Sequence, residues 1–228
     1  MFTPEELTTI ALSVRVATLA SLGALPLAIA VGWLLARRRF PGKALLDALV
    51  HLPLVLPPVV VGYALLVAFG SQGPVGRFLG QFGIELAFRW TGAALAAGIM
   101  GFPLMVRTIR LSIENVDRRL EQAAATLGAS PWRRFFTITL PLAWPGVVAG
   151  AVLGFAKALG EFGATITFVS AIPGETRTLS SAIYGLMQVP GGEAAIWRLA
   201  AVAVVISLVA LLASEWLVRR QRGPEDGP

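Results

Sequence analysis

The sequence predicts an all-α integral membrane protein of about five transmembrane helices, with its N-terminus outside and its C-terminus in the cytoplasm. Three observations lead there. Apolar residues make up 56% of the 228 positions against 14% charged, at a mean hydropathy of +0.73, so lipid rather than water is the solvent that suits this surface. Five apolar runs reach or approach the roughly 20 residues that a helix needs to cross the hydrocarbon core. The basic residues gather on alternate connections between those runs, the asymmetry that sets orientation under the positive-inside rule.

Taken in order, the first run spans residues 10–36. The segment before it, Met1 to Thr9, holds Glu5 and Glu6 and no basic residue, so it lacks the n-region of a cleavable signal and the run is read as retained. The second, 45–69, carries Pro53, Pro57 and Pro58. The third, 90–107, is short and carries Phe102-Pro103, and the fourth, 143–171, is irregular. The fifth spans 197–218. Arg37, Arg38, Arg39 and Lys43, then Arg107, Arg110, Arg118, Arg119, Arg133 and Arg134, then Arg219, Arg220 and Arg222 place thirteen positive charges on one side. Five lie on the other (Arg15, Arg77, Arg89, Arg177 and Arg198), and Lys157 stays inside a span. Trp33, Trp90, Trp144, Trp197 and Trp216 near the run ends suit interfacial anchors. The outside connections 70–89 and 172–196 are too polar to cross.

The connection 108–142 reads as helix, turn, helix. Arg118 to Thr126 favours a helix, Gly128 suits the left-handed residue that ends one, and Ser130-Pro131 is an N-cap followed by proline at the first helical position. Within it stand Glu121-Gln122-Ala123-Ala124-Ala125-Thr126-Leu127-Gly128 and, nine residues on, Ile138-Thr139-Leu140-Pro141. This spacing resembles the EAA signature of ABC importer permeases. The signature's acidic position falls on Gln122 here, with Glu121 one residue earlier. Phe40-Pro41-Gly42-Lys43, the run from His51 to Tyr63, Phe102 to Arg107 and above all Gly160 to Thr178 (GEFGATITFVSAIPGETRT) are similar to the molybdate-transport permease family.

The resemblance covers nearly the whole chain. It implies the type I ABC importer permease fold and a bacterial inner-membrane location. The expected partners are a second copy of the chain, two ATPase subunits that bind ATP and Mg, and a periplasmic molybdate-binding protein. Energy then enters through the 108–142 loop. Ala123, Ala124, Leu127 and Gly128 would form a docking surface that fits a groove on the ATPase, with Glu121, Gln122, Ile138, Leu140 and Pro141 completing the coupling segment. The alternatives are a hairpin lying at the headgroups with no partner, or a related permease for sulfate or thiosulfate. Tungstate, close to molybdate in size and charge, is not separable from it by sequence.

Gly146, Gly150 and Gly154 form a small-residue stripe that reads as helix packing. Lys157 and Glu161 stand four apart, where they either pair or line a polar pathway; a charge at the bilayer centre costs about 2.5–3.5 kcal/mol, so it is paired or faces a cavity. Gly160-Glu161-Phe162-Gly163 with Thr165, Thr167 and Ser170 breaks a helix near membrane depth, which is tolerated where the backbone is buried in protein or lines water. With the prolines of the second and third runs, this makes three interrupted spans and a candidate translocation pathway. His51, the sole histidine, reads as packed, and with no cysteine the chain offers no catalytic set, metal site or cofactor site of its own. The sequence pI near 11.0 reflects clusters between apolar runs, so nucleic acid is not the expected partner. No phosphate-loop pattern occurs, so this is not itself an ATPase, and the lack of an internal repeat weighs against an ion-coupled carrier.

Overall fold

A computed structural model describes residues 2–221; Met1 and residues 222–228, including Arg222 of the charge count, lie outside the described residues. The order is α1 (Pro4–Arg37), α2 (Lys43–Val55), α3 (Pro58–Phe69), α4 (Pro74–Gly80), α5 (Trp90–Glu114), α6 (Arg118–Thr126), α7 (Pro131–Arg134), a π-helical turn (Phe135–Thr139), α8 (Leu140–Leu159), α9 (Gly163–Val169), α10 (Leu179–Leu186) and α11 (Glu193–Gln221). Among the described residues, four helices are long and apolar enough to cross a membrane: α1, α5, the unbroken Pro131–Leu159 stretch and α11. The α2–α3 pair, bent by 111°, is a fifth if it is counted as one broken span.

Local chemistry explains the boundaries. Thr3 and Glu6 form a capping box at the start of α1, with Pro4 in the first turn. Leu56, which precedes Pro57, is pushed into extended backbone (ψ 143°), and Pro58 then opens α3, so the second run is two helices rather than one. The third run is longer than 90–107 and is not interrupted: α5 continues through Pro103 to Glu114 because neighbouring helices bury Pro103, Met105, Val106 and Ile109. The fourth differs at both ends. Helix begins at Pro131, inside the connection, and stops at Leu159. Just before Pro141, which offers no N–H, the coil widens so that the Leu140 N–H donates to the Phe135 carbonyl, and the helix passes the proline without breaking.

The centre of the bundle is α5, packed between α1 and α8. Towards its start, Ala93, Ala96, Ala97 and Met100 meet Val16, Ala17, Phe168 and Leu179; towards its end, Met105, Ile109 and Ile113 meet Leu35 and Val147. The glycine stripe of α8 faces α5, with Gly146 against Ser112, Gly150 against Ile109 and Gly154 against Met105. α10, within the 172–196 connection, is drawn into the first cluster through Leu179 and Ala182, and the buried Ser13 hydroxyl of α1 accepts a 2.7 Å bond from the Leu179 N–H. By contrast α11 leaves Val204, Val205, Leu208, Val209 and Leu212 exposed, an apolar face suited to lipid.

The two broken spans meet: α9 lies on α3, and a Cβ on Gly62 would fall 2.5 Å from the Ala164 carbonyl oxygen and 2.9 Å from the Ala164 Cα. Backbone cannot give way there. Gly62→Val is expected to cost about 1–3 kcal/mol by overpacking, seen as a lower thermal midpoint in detergent. Gly23→Ala, with nothing within 4 Å of the added Cβ, is expected to leave the midpoint unchanged.

Candidate functional site

Two regions collect the residues singled out by sequence. The first is a hairpin at the arginine-rich end. Because α5 runs on to Glu114 and the following span starts at Pro131, only residues 115–130 stand apart from the long helices. Asp117 caps α6, its carboxylate accepting from the Arg119 N–H at 2.8 Å. Gly128, at φ +82°, closes it: the Gly128 N–H donates to the Ala125 carbonyl and the Ala129 N–H to that of Ala124, the paired bonds of a Schellman stop. Ser130 then caps α7, accepting from the Arg133 N–H.

This geometry sorts the residues that the resemblance assigns to a coupling segment. Gln122, Ala123, Leu127 and Gly128 are exposed, Leu127 at 88%, while Ala124 is half-buried. Glu121 is engaged elsewhere. Its Oε1 lies 3.0 Å from the Arg37 guanidinium of α1 and accepts a 2.7 Å bond from the Thr139 hydroxyl; Arg37 also donates to the Val116 carbonyl at 2.8 Å. Ile138 and Leu140 are half-buried in or beside the π-helical turn and Pro141 is exposed, so this segment joins the hairpin to α8 rather than extending the α6 surface.

The second region is the break between α8 and α9. Lys157 and Glu161 do pair, Nζ to Oε2 at 2.9 Å, but not along one helical face, since α8 ends at Leu159 and Glu161 sits in the break. The carboxylate, 2% exposed, also accepts the Ala164 N–H at 3.1 Å and so satisfies the start of α9. Thr165 donates to the Phe162 carbonyl and Thr167 to that of Gly163, both at 2.9 Å, so both hydroxyls are spent on their own turn of helix. α9 ends at Ser170, at φ +64°, and the buried Thr176 hydroxyl holds the next loop by donating to the Val169 and Ser170 carbonyls and accepting the Ile172 N–H. Gly163 abuts Pro58, which brings this break against the one in the second span. His51 is half-buried beside Asp47, whose carboxylate holds Arg110 at 3.1 Å.

Residues 28–223 match the model for the binding-protein-dependent transport system inner membrane component. The chain belongs to this family. The Escherichia coli K12 molybdenum transport system permease protein ModB is 59% identical, over 97% of both chains. The E. coli K12 sulfate transport system permease protein CysT is 40% identical over 69% of this chain and 57% of its own. Among solved structures, the inward-facing MetNI methionine ABC transporter aligns at a TM-score of 0.75 and 16% identity, covering 97% of this chain and 99% of that one. The fold is that of a type I ABC importer permease, and the chain is a multi-pass inner-membrane component without an ATPase site of its own. An ion-coupled carrier is set aside by the same finding.

For a permease of this family, the sequence left two contributors unmarked: Arg37, counted only for topology, and Thr139, passed over as the variable letter between Ile138 and Leu140. No local pattern announces a partner 84 residues away. The Asp117 cap was readable, an aspartate directly before the helical Arg118 run. Removing the carboxylate that joins them, Glu121→Ala, is expected to cost about 1.5–3 kcal/mol, the range for a hydrogen bond to a charged group. Limited proteolysis should then cut faster within 115–130 than in the parent protein, while the long helices stay resistant.

Proposed function

We propose that this chain is the membrane-spanning subunit of an ATP-driven importer for molybdate. It works as two copies, with two ATPase subunits that hold ATP and Mg and a periplasmic molybdate-binding protein. The observation that carries the substrate is the 59% identity to a molybdenum permease along essentially the whole chain; likeness to the sulfate permease is lower and shorter. The thirteen basic residues that the sequence gathers on one side of the spans support a topology with the N-terminus outside and the 115–130 hairpin and C-terminus in the cytoplasm.

Coupling follows from how the hairpin is mounted. α6 presents Ala123 and Leu127 with the Gly128 stop beside them, small and apolar groups suited to a groove on the ATPase. It hangs between two spans, α5 before it and the Pro131–Leu159 helix after it, and Glu121 fastens it to α1. A displacement of α6 is thereby handed to three spans together. The far end of the last of them is the break at Gly160–Phe162, packed on α3, where two interrupted helices make a candidate gate lined by Lys157, Glu161, Thr165 and Thr167. Val55, Val59 and Tyr63 on the exposed face of the bent pair are available to the second copy, so that substrate passes along the interface between copies.

Uptake of radiolabelled molybdate into vesicles carrying the chain with its ATPase and binding protein tests this reading. ATP-dependent uptake that tungstate suppresses and sulfate does not is the expected outcome; suppression by sulfate would move the substrate assignment, and uptake indifferent to ATP would end the importer reading. Gly128→Trp strains a left-handed position and places bulk beside the docking face, so it is expected to abolish uptake while ATP hydrolysis and membrane insertion persist. Uptake at the parent rate in that variant would contradict the assigned coupling role.

A further inference from the structure

Beside the hairpin, where α1 ends, lies a cavity of about 370 Å3 whose wall carries Arg37, Arg38, Arg118 and Arg134 against a single acid, Glu121. Glu121 neutralises one of the four, Arg37. The other three have no acidic partner among the described residues. Arg118 donates to the Ala36 carbonyl at 3.3 Å, the Arg38 guanidinium lies 5.4 Å from the centre of the Trp33 ring, and Arg134 keeps a buried Nε with no hydrogen-bond partner. Three unneutralised guanidiniums around one cavity, one with an unused buried donor, suit a phosphate group, which takes forked guanidinium bonds.

A second cavity of about 760 Å3 adjoins the first and shares Trp33, Arg38, Pro131 and Phe135 with it. The rest of its wall is apolar, including Ile29, Leu34 and Leu140, and it is edged by the stacked rings of Trp132 and Phe136, exposed at 73% and 58%. A free anion has no use for such a groove. The apolar run of α1 gives way to Arg37, Arg38 and Arg39 at the junction of the two cavities, the depth at which headgroups meet acyl chains.

We propose that the paired cavities bind one anionic phospholipid. Its phosphate is held by Arg38, Arg118 and Arg134, and an acyl chain lies in the groove between Ile29, Leu34 and the Trp132–Phe136 stack. Basic pockets between membrane helices recognise anionic headgroups in this way. The inference goes beyond the transport reading and rests only on the chain lying in a bilayer. Since Glu121 lines the same cavity, an occupied site braces the 115–130 hairpin against α1.

The test is native mass spectrometry of the full-length chain in detergent, titrated with phosphatidylglycerol or with phosphatidylcholine of the same acyl chains, so it needs no substrate and no ATPase. Phosphatidylglycerol is expected to be retained in preference. The Arg38→Gln/Arg134→Gln pair is expected to weaken it by about 25-fold, at about fivefold for each arginine. Arg119→Gln/Arg133→Gln removes the same charge from exposed positions outside the cavity and should have a much smaller effect. If the first pair fails to fold, Trp132→Ala/Phe136→Ala, on exposed rings, is the substitute and should likewise weaken phosphatidylglycerol. Equal retention of the two lipids, equal losses in both arginine pairs, or displacement of the lipid by millimolar inorganic phosphate would each overturn the proposal, the last in favour of a plain anion site.

Discussion

Every polar group of the backbone must find a partner inside a bilayer, since the hydrocarbon core offers none. That requirement governs this fold most visibly where its helices stop at membrane depth. The chain breaks off α2 at Leu56 and α8 at Leu159, and it sets the two breaks against each other, so that α3 and α9 cover one another's first turns. Around the second break, side chains replace the missing helical bonds. Glu161 takes the Ala164 N–H, and Thr176 ties the loop beyond Ser170. Gly62 and Gly163 are needed because the two backbones come too close for a side chain between them. Positioning of α10 by Ser13, 166 residues earlier in the chain, serves the same end by giving its first free N–H a buried acceptor.

The opposite end of the molecule is built for stiffness. The connection between the third and fourth apolar runs looked 35 residues long in the sequence, yet helix claims it from both sides and leaves only 115–130 between α5 and the next span. What remains is held by an N-cap, a left-handed glycine stop and the Arg37–Glu121–Thr139 cluster. In the importer proposed here, a push on α6 therefore has little slack to take up before it reaches the spans. The same cluster forms one wall of the arginine-lined cavity, which places the proposed lipid where it can reinforce this stiffness.

How much of this was legible depended on the range of the interaction. Signals carried by neighbouring residues were readable: α6 covers Arg118–Thr126, Gly128 is left-handed and Ser130 caps, as their letters indicate. The Lys157–Glu161 contact was also within reach of a four-residue rule, although a helix end lies between them. Prolines marked the break in the second run but misled in the third. Pro57 breaks a helix because Pro58 follows and Leu56 has no helical option, whereas Pro103 and Pro145 sit inside helices whose neighbours hold them. Sequence reports the cost of a proline but not the packing that offsets it. Arg37 with Glu121, Arg110 with Asp47 and Arg198 with Glu6 join residues 63 to 192 apart, and only the assembled bundle reveals them.

The hydroxyls at the break limit how the proposed gate can operate. Thr165 and Thr167 stand in the candidate pathway, but each donates to a carbonyl of its own helix, and Glu161 is neutralised by Lys157. In this arrangement Thr165 and Thr167 offer an anion no free hydroxyl, and the Lys157–Glu161 pair offers it no net positive charge. A relay of rotating side chains would have to give up those bonds one at a time, in an environment where an unpaired polar group is costly. Moving the end of α8 together with α9 away from α3 as a unit keeps every one of them, because the bonds of Thr165, Thr167 and Glu161 all lie within residues 157–167. The contact that must open is then Gly62 against Ala164 and Pro58 against Gly163, a seam of small residues in close backbone contact. A gate whose polar bonds are internal to each leaf, and whose seam is small-residue packing, is one that rigid-body motion can open at least cost.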